Sequence, residues 1–311
     1  MNYFKKFKEE IEKGSIKRVI SLEEKTLGHE ALYTMDGKEI ARSGEIRGKT
    51  VEEIIAVKPH LVLFGAGHIG KAVTALGKYL DFKITVIDDR KGIFNDATFA
   101  LTETINTSYE EAFKRDYDYN NPYYLIFTHG HNHDLECLRF ALGKKSNYIG
   151  MIGSKGKIEK TYDVLKAEGF TDEELIKVHA PIGLDINANT PKEIAISIIG
   201  EVIKNYSQKH QLIVDNEILN FLANRHKECV LCTIVENKGS SPRATGAEML
   251  VTEDETIGSV GGGAVENEAI KVAKETLKDK KNKIREYELN SQSSLGMICG
   301  GDNTILFQYI G

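Results

Sequence analysis

The central part of the chain alternates short apolar runs with amphipathic stretches. Four runs of strand length have the continuous apolar character of buried strands, at residues 61–64, 82–87, 123–128 and 148–152. Helical spacing occurs between them, at residues 71–80, near Glu110 and at 134–142. Because strands that alternate with helices form parallel sheets, this pattern predicts an α/β domain with a doubly wound parallel sheet.

The flanking segments follow other patterns. Phe4, Phe7 and Ile11 predict a short amphipathic helix, and residues 14–57 a β-rich preface. Thr190, Pro191 and Glu193 have the spacing of a capped helix start. A polar linker at residues 207–210 precedes a second segment that begins with a helix. We therefore predict two domains, residues 1–207 (the preface with the doubly wound sheet) and 211–311.

Composition narrows the class of protein. The 311 residues are 41% hydrophobic and 28% charged, with a net charge of -5, which does not give the basic face typical of nucleic-acid binders. We find no apolar run near the roughly 18 residues of a membrane span and no signal-peptide core at the start. Four cysteines are too few for a disulfide framework. We expect a cytoplasmic protein without nucleic-acid or membrane partners.

A glycine motif follows the first buried strand and opens a helix. Gly65, Gly67 and Gly70 have the spacing of a dinucleotide fingerprint, with His68 and Ile69 at the helix start. In this context a helix N-terminus supplies free N–H groups to a pyrophosphate. Asp88 or Asp89, at the end of the next strand, is a candidate acceptor for a ribose hydroxyl, whereas Arg90 leaves room for a phosphorylated ribose. The alternative is a domain that keeps the glycines for packing and binds no dinucleotide.

Two further loops follow strands at the same predicted edge. In the first, alternating histidines at 129, 131 and 133 would project to one side if the chain were extended. They could then ligate zinc, donate to a phosphate or form a polar ligand wall, or they are plain loop residues. Asp134 could equally cap the next helix. In the second, Ser154 and Lys155 precede another helix and are either a phosphate contact or a plain turn.

The last hundred residues are rich in glycine turns. Gly261, Gly262 and Gly263 join a strand to an amphipathic helix, an arrangement typical of an anion cradle, and Glu266 lies in the first helical turn. Arg243 follows Ser240, Ser241 and Pro242 and could clamp a phosphate.

The cysteines differ in their surroundings. Cys299 borders Gly300 and Gly301, where flexible backbone lets a sulfur reach a ligand. Cys229 and Cys232 are three residues apart on a predicted strand, so their side chains should point to opposite faces. We interpret that pair as structural and Cys137 as a core residue.

Together these motifs resemble the XdhC/CoxI family of accessory factors for molybdenum hydroxylases. The resemblance rests on ordered motifs along nearly the whole chain: residues 63–68, 88–90, 128–129, 149–155, 181–185, 239–243, 261–266 and 296–301. It implies a Rossmann-like domain plus a smaller α+β domain of XdhC/CoxI type. Family members usually have the cysteine-bearing domain first, so the order here looks permuted.

The resemblance implies a maturation role. Such factors hold the pyranopterin molybdenum cofactor, alone or extended by a nucleotide, during its sulfuration, and assist its insertion into an apo molybdenum hydroxylase. Implied partners are that hydroxylase, a cysteine desulfurase-type sulfur donor and a second copy in a homodimer. Cys299 would contact the molybdenum or the sulfur donor. The residues assigned to the cofactor are Gly65, Gly67, His68, Ile69, Gly70, Asp88, Arg90, His129, Ser154, Lys155, Ser241, Arg243, Gly261, Gly262, Gly263 and Glu266.

Two other functions are open at this point. An NAD(P)-dependent oxidoreductase with His129 or His131 as proton donor explains the fingerprint but leaves Cys299 without a role. A histidine-metal hydrolase lacks a convincing fourth ligand.

Overall fold

The computed structural model describes residues 2–115, 117, 119–207, 212–213, 215–239, 245–288 and 301–311. Its helices are α1 (Tyr3–Ile11), α2 (His68–Tyr79), α3 (Tyr109–Phe113), α4 (Asp134–Leu142), α5 (Lys155–Ala167), α6 (Asp172–Leu175), α7 (Pro191–Ser207), α8 (Asn216–Asn224) and α9 (Gly263–Asp279). Its strands are β1 (Ile16–Ser21), β2 (Glu30–Thr34), β3 (Glu39–Arg42), β4 (Thr50–Ala56), β5 (His60–Phe64), β6 (Lys83–Asp88), β7 (Glu103–Asn106), β8 (Pro122–Ile126), β9 (Tyr148–Met151), β10 (Val178–His179), β11 (Leu212–Ile213), β12 (Cys229–Gly239), β13 (Glu248–Val251), β14 (Thr256–Gly258), β15 (Lys283–Glu288) and β16 (Gly301–Ile310).

The chain forms two compact units. Residues 58–210 are the Rossmann-like unit, and residues 1–57 together with 211–311 are the two-sheet unit. The predicted grouping of residues 1–57 with the Rossmann-like domain differs from this division. The reason is a non-local pairing: β4 pairs with β11, with Ile55 opposite Leu212, and α1 packs on α8.

The Rossmann-like unit confirms the predicted doubly wound sheet. Its six strands have the order β10-β9-β8-β5-β6-β7, and every neighbouring pair is parallel. Apolar residues of α2 and α7 cover one face, and those of α3, α4 and α5 cover the other. Because both faces are covered, β5 is buried along its whole length, which explains its continuous apolar run.

The start of α7 shows how local sequence sets an element. Pro191 is its first residue. The Glu193 backbone N–H donates to Thr190 Oγ1 at 3.3 Å, and the Thr190 N–H donates to Glu193 Oε2 at 2.9 Å. This reciprocal pair is the predicted capping box.

Within the described residues, no helix has both the length and the apolar character that crossing a membrane requires.

The two-sheet unit contains two five-stranded sheets, and β12 is the central strand of one of them. One sheet has the order β11-β4-β1-β2-β3 and the other β14-β13-β12-β16-β15. On β12, Cys229 packs in the cluster with α1 and α8, whereas Cys232 packs in the cluster with α9. The prediction that the two thiols point to opposite faces is therefore confirmed. Burial raises the pKa of Cys229 to about 11 and that of Cys232 further, as expected for structural thiols. Cys137 is fully buried on α4, as predicted.

A buried ion cluster links the two sheets of this unit. Arg18 on β1 is 2% exposed, and its Nη2 lies 2.6 Å from Glu53 Oε2 on β4. Its Nη1 lies 2.7 Å from Glu248 Oε1 on β13 in the other sheet. Since one guanidinium compensates two carboxylates, loss of Arg18 would leave buried charge unpaired.

Candidate functional site

The candidate site lies at the carboxyl edge of the parallel sheet, where the strand order reverses. β5 and β8 are adjacent, and the chain leaves them in opposite directions along the sheet. Open α/β sheets bind ligands at this point. A cleft of about 400 Å³ lies there, bordered by the loops after the two strands. The described residues that line it are Ala66, Gly67, His68, Ile69, Lys71, Arg90, Ile93, Phe127, Thr128, His129, His131, Ile152 and Pro191.

The three glycines of the fingerprint have different roles. Gly65 has a φ of +119°, and a Cβ there would lie 2.3 Å from the carbonyl oxygen of Phe127. A Cβ on Gly70 would lie 2.1 Å from the Gly65 carbonyl oxygen. These two positions exclude a side chain, as predicted for a tight turn and close packing. A Cβ on Gly67 meets only Arg90 Nη2, at 3.9 Å, so the fold alone does not require glycine at this cleft-lining position.

The N-terminus of α2 borders the same cleft. Its N-cap residue is Gly67, and no side chain caps it. The first N–H groups of a helix lack intrahelical acceptors and carry the positive end of the helix dipole. An anion in the cleft could therefore accept hydrogen bonds from this end, and the phosphate site at His68 and Ile69 stays a prediction.

Asp88 takes a different position from the one expected of a ribose acceptor. It is fully buried; its Oδ2 accepts from the Ala66 N–H at 2.7 Å and Arg90 Nη2 at 2.7 Å. Its Oδ1 accepts from the Arg90 N–H at 3.0 Å and Nε at 2.9 Å. Burial opposes ionisation, but the hydrogen bonds from Arg90 and Ala66 outweigh it, so the pKa of Asp88 lies below its usual value. Asp88 thus positions the glycine turn and Arg90.

The histidine loop is not extended, so the predicted alternation of side chains is wrong. His129–His131 forms a 3-10 turn, with φ of 59° at Gly130 and 61° at His131. Such angles change the direction of successive side chains. His129 and His131 line the cleft, whereas His133 lies 3.2 Å from Glu136 and 3.6 Å from Asp89. Within the described residues, no group of three or more His, Cys, Asp or Glu is arranged to hold a metal.

Asp134 fixes this loop and does not cap α4, whose N-cap is His133. It is 1% exposed, and its Oδ1 accepts from the Thr128 N–H at 3.1 Å and Oγ1 at 2.7 Å. Its Oδ2 is paired with His131 Nδ1 at 2.9 Å and with Lys157. Burial opposes the charge, but Lys157, Thr128 and His131 together hold the pKa of Asp134 below its usual value. The result is a His131 ring held in place at the cleft.

Ser154 and Lys155 start α5 at the same edge, and both are exposed. Ser154 makes no side-chain cap, and neither residue is among the described residues that line the cleft. Lys157, which the sequence did not single out, is the residue of α5 that reaches the histidine loop. Lys71, Phe127, Ile152 and Pro191 were also missed. The sequence gives these four residues no role in the site, because they reach the cleft only through the packing of the strands and helices around it.

The described lining of the cleft contains basic side chains and no acidic one. Its described residues include Arg90, Lys71 and three histidines but neither Asp nor Glu. Lys71 Nζ is paired with Asp96 Oδ2 at 2.6 Å, and Arg90 with the buried Asp88. Both cations are therefore ion-paired, and the absence of Asp and Glu from the described lining leaves no carboxylate there to repel an anionic ligand.

The glycine turn of the two-sheet unit carries its own anion. Glu266 Oε2 accepts from the Gly262 N–H at 3.0 Å and from Ser259 Oγ at 2.5 Å. The carboxylate therefore occupies part of the predicted cradle formed by residues 261–263. Ser241, Arg243 and Cys299 lie outside the described residues, so their predicted roles stay predictions.

The strand order and the uncapped helix after a glycine turn define the Rossmann class of α/β domains. The comparison with known families agrees with this class and extends it. Residues 61–202 match the model of the XdhC Rossmann domain, and residues 222–288 match that of the XdhC and CoxI family. The chain belongs to the XdhC/CoxI family. The Rossmann match precedes the other along the chain, in the order noted from the sequence.

Individual relatives match about half of the chain. An uncharacterized protein of Escherichia coli K12, YqeB, is 31% identical over 150 residues, 48% of this chain and 27% of that protein. A probable xanthine dehydrogenase subunit of Bacillus subtilis is 26% identical over 151 residues, 48% of this chain and 44% of that protein. This chain thus covers less than half the length of either relative.

A solved structure supports the fold. A crystal structure from Bacillus halodurans, described as a xanthine dehydrogenase, superposes with a TM-score of 0.50 at 24% identity. The match covers 66% of this chain and 63% of that one.

Proposed function

We propose that this protein is a maturation factor for a xanthine dehydrogenase-type molybdenum hydroxylase. It holds the pyranopterin molybdenum cofactor during sulfuration and assists its insertion into the apo-enzyme. The observation that carries this proposal is the presence of both family modules, at residues 61–202 and 222–288, in one chain. The Bacillus subtilis relative, which is named a probable xanthine dehydrogenase subunit, supports the same client class.

The chemistry of the Rossmann cleft fits part of such a cofactor. The cofactor carries a phosphate, or a pyrophosphate when it is extended by a nucleotide, and the cleft offers free N–H groups of α2 together with Arg90 and cleft-lining histidines. The cleft also has the architecture that binds a separate dinucleotide, so NAD(P) is a second ligand of the same chemistry. In either case the chain's residues bind the phosphates, while Asp88 and Asp134 hold the two loops in place.

The two-sheet unit would supply the sulfur chemistry. When bound, the cofactor supplies a molybdenum ion whose terminal oxygen ligand is exchanged for sulfur. A thiol is a softer ligand than a carboxylate and suits such a metal or its sulfur donor, which is the proposed role of Cys299. A phosphate at residues 261–263 would have to displace Glu266 from the Gly262 N–H, so we give that turn a smaller part than the Rossmann cleft.

One observation favours a second function. His131 lines the cleft, and Asp134 holds its Nδ1, so that Nε2 is left to exchange a proton with a bound ligand. This arrangement would serve an NAD(P)-dependent oxidoreductase. A change in nicotinamide absorbance on mixing with a small oxidisable substrate would identify that activity.

Activation of an apo-hydroxylase tests the maturation role. The apo-enzyme is incubated with isolated molybdenum cofactor, a sulfur donor and this protein, and hydroxylase activity is followed over time. We expect the wild type to accelerate activation and Cys299→Ala to reduce the rate at least about tenfold with unchanged thermal stability. Cys229→Ala, which removes a buried thiol elsewhere, is the matched control and should activate normally.

Two results would count against these roles. Full activation by Cys299→Ala would remove that residue from the mechanism. A wild-type protein that gives no more activation than buffer would overturn the maturation role itself.

A further inference from the structure

The end of β6 is where Rossmann domains read the ribose of a nucleotide. In domains that bind NAD, an acidic residue there accepts hydrogen bonds from the ribose hydroxyls. Asp88 occupies that position, but it is 0% exposed, and both of its oxygens accept from Ala66 and Arg90. Its carboxylate therefore presents no free edge to a ribose in this arrangement.

Asp89, the next acid, lies against the histidine loop, beside His133. Its Oδ2 lies 3.6 Å from His133 Nε2, and it is not among the described residues that line the cleft. Neither aspartate is therefore among the described residues that line the cleft.

Arg90 faces the cleft at the end of β6, and its guanidinium is a hydrogen-bond donor rather than an acceptor. Its side chain is 32% exposed and lines the cleft beside Gly67. Nε and Nη2 donate to Asp88, which holds the guanidinium plane, whereas Nη1 has no hydrogen-bond partner among the described residues. Asn106 Nδ2 donates to the carbonyl oxygens of Asp88 at 2.8 Å and Arg90 at 2.9 Å, so the backbone of this turn is also fixed. A fixed guanidinium is a good phosphate ligand because its geometry matches that of the anion.

We propose that the cleft selects a nucleotide whose ribose carries a phosphomonoester, and that Arg90 reads that phosphate. The pyrophosphate of such a ligand lies at the N-terminus of α2, and the ribose phosphate meets Nη1 of Arg90. The ligand class is that of NADP rather than NAD. This inference rests on the proposed nucleotide-binding role of the cleft, but it is independent of the maturation activity.

Calorimetric titrations with matched nucleotides test it. The probes are 2′,5′-ADP against 5′-AMP, and NADP+ against NAD+, which differ only in the ribose phosphate. For the wild type we expect affinity to be about 10- to 100-fold higher for the phosphorylated member of each pair, as for a hydrogen bond between charged groups. The preference should shrink as salt rises, because the contact is partly exposed.

Variants assign the preference to Arg90. Arg90→Gln should reduce the ratio of affinities to near one. Arg90→Lys keeps the charge without the fork and should retain part of the ratio. Lys91→Ala removes a neighbouring exposed charge and should leave the ratio unchanged. Thermal unfolding of each variant checks that the turn around Asp88 is intact.

Equal or tighter binding of NAD+ would overturn the inference and leave the maturation role untouched. An unchanged ratio in a folded Arg90→Gln protein would do the same. If no nucleotide binds to the wild type, the inference fails, and the maturation role is then decided by the activation assay alone.

Discussion

Gly67 and Gly70 allow ligand binding to be separated from folding in the Rossmann-like unit. In Gly70→Ala, the new Cβ would lie 2.1 Å from the Gly65 carbonyl oxygen and 3.1 Å from its carbon, both of them backbone atoms. Overpacking of this kind typically costs about 1–3 kcal/mol, and since backbone cannot rotate away we expect the upper end of that range. For a unit of this size, that corresponds to a fall in Tm of roughly 6–12 °C.

Gly67→Ala should behave in the opposite way. The new Cβ would meet nothing closer than Arg90 Nη2 at 3.9 Å, and the φ of Gly67, -69°, is one that alanine adopts. We expect a change in the free energy of unfolding within about 1 kcal/mol, because the poorer N-cap is offset by a less flexible unfolded chain. The methyl group lies where a phosphate must approach the α2 N-terminus, so affinity for ADP should fall tenfold or more.

Thermal denaturation followed by circular dichroism gives the stability of both variants, and titration calorimetry with ADP gives their affinities. A stable Gly70→Ala protein would refute the role of that glycine in packing. A Gly67→Ala protein that binds ADP as the wild type does would refute the placement of a phosphate against the helix end.

Three further predictions follow from buried charges. Arg18→Ala should destabilise the two-sheet unit by about 3–5 kcal/mol in urea unfolding, because it leaves Glu53 and Glu248 without their cation. The control Arg42→Ala breaks an exposed ion pair and should cost under about 1 kcal/mol. Similar losses of stability in the two variants would contradict the proposed role of the cluster. Burial raises the pKa of Glu30, so the folded state binds that proton more tightly, and the free energy of unfolding should fall as pH rises above the usual Glu pKa. Glu30→Gln should flatten this pH dependence and be more stable than the wild type at pH 8. A Glu30→Gln protein that is less stable than the wild type at pH 8 would contradict this explanation. The lowered pKa of Asp134 predicts the opposite dependence, since its contribution to stability is present above the usual Asp pKa and is lost as pH falls. Asp134→Asn should lower the free energy of unfolding by about 2 kcal/mol at pH 7 and by progressively less below about pH 4. A stability difference between variant and wild type that stays constant across that range would argue against ionisation of Asp134 as the cause.

The parts of the structure that local patterns predicted are those with local causes. The glycine fingerprint, the buried strands and the Thr190 capping box each depend on residues a few positions apart, and the structure shows them where expected. The opposite orientation of Cys229 and Cys232 followed from strand geometry alone.

The parts that were missed depend on distant pairing or unusual backbone. Residues 1–57 belong with the C-terminal segment because β4 pairs with β11, which no local pattern indicates. The histidine loop departs from extended chain because His131 has a positive φ, and Asp134 compensates with contacts that the sequence suggested only as a cap. Asp88 has the sequence position of a ribose acceptor, but its carboxylate is buried against Ala66 and Arg90. The sequence pattern does not indicate these contacts, because they form only in the folded turn.

The molybdenum and pterin content of the protein tests the proposed carrier role most directly. The full chain is purified from cells that make an active molybdenum hydroxylase, molybdenum is measured by mass spectrometry, and pterin by fluorescence after oxidation. We predict close to one molybdenum and one pterin per chain, both reduced in Arg90→Gln if the Rossmann cleft holds the phosphorylated end. Protein that carries neither, and that takes up neither from isolated cofactor, would contradict the carrier role.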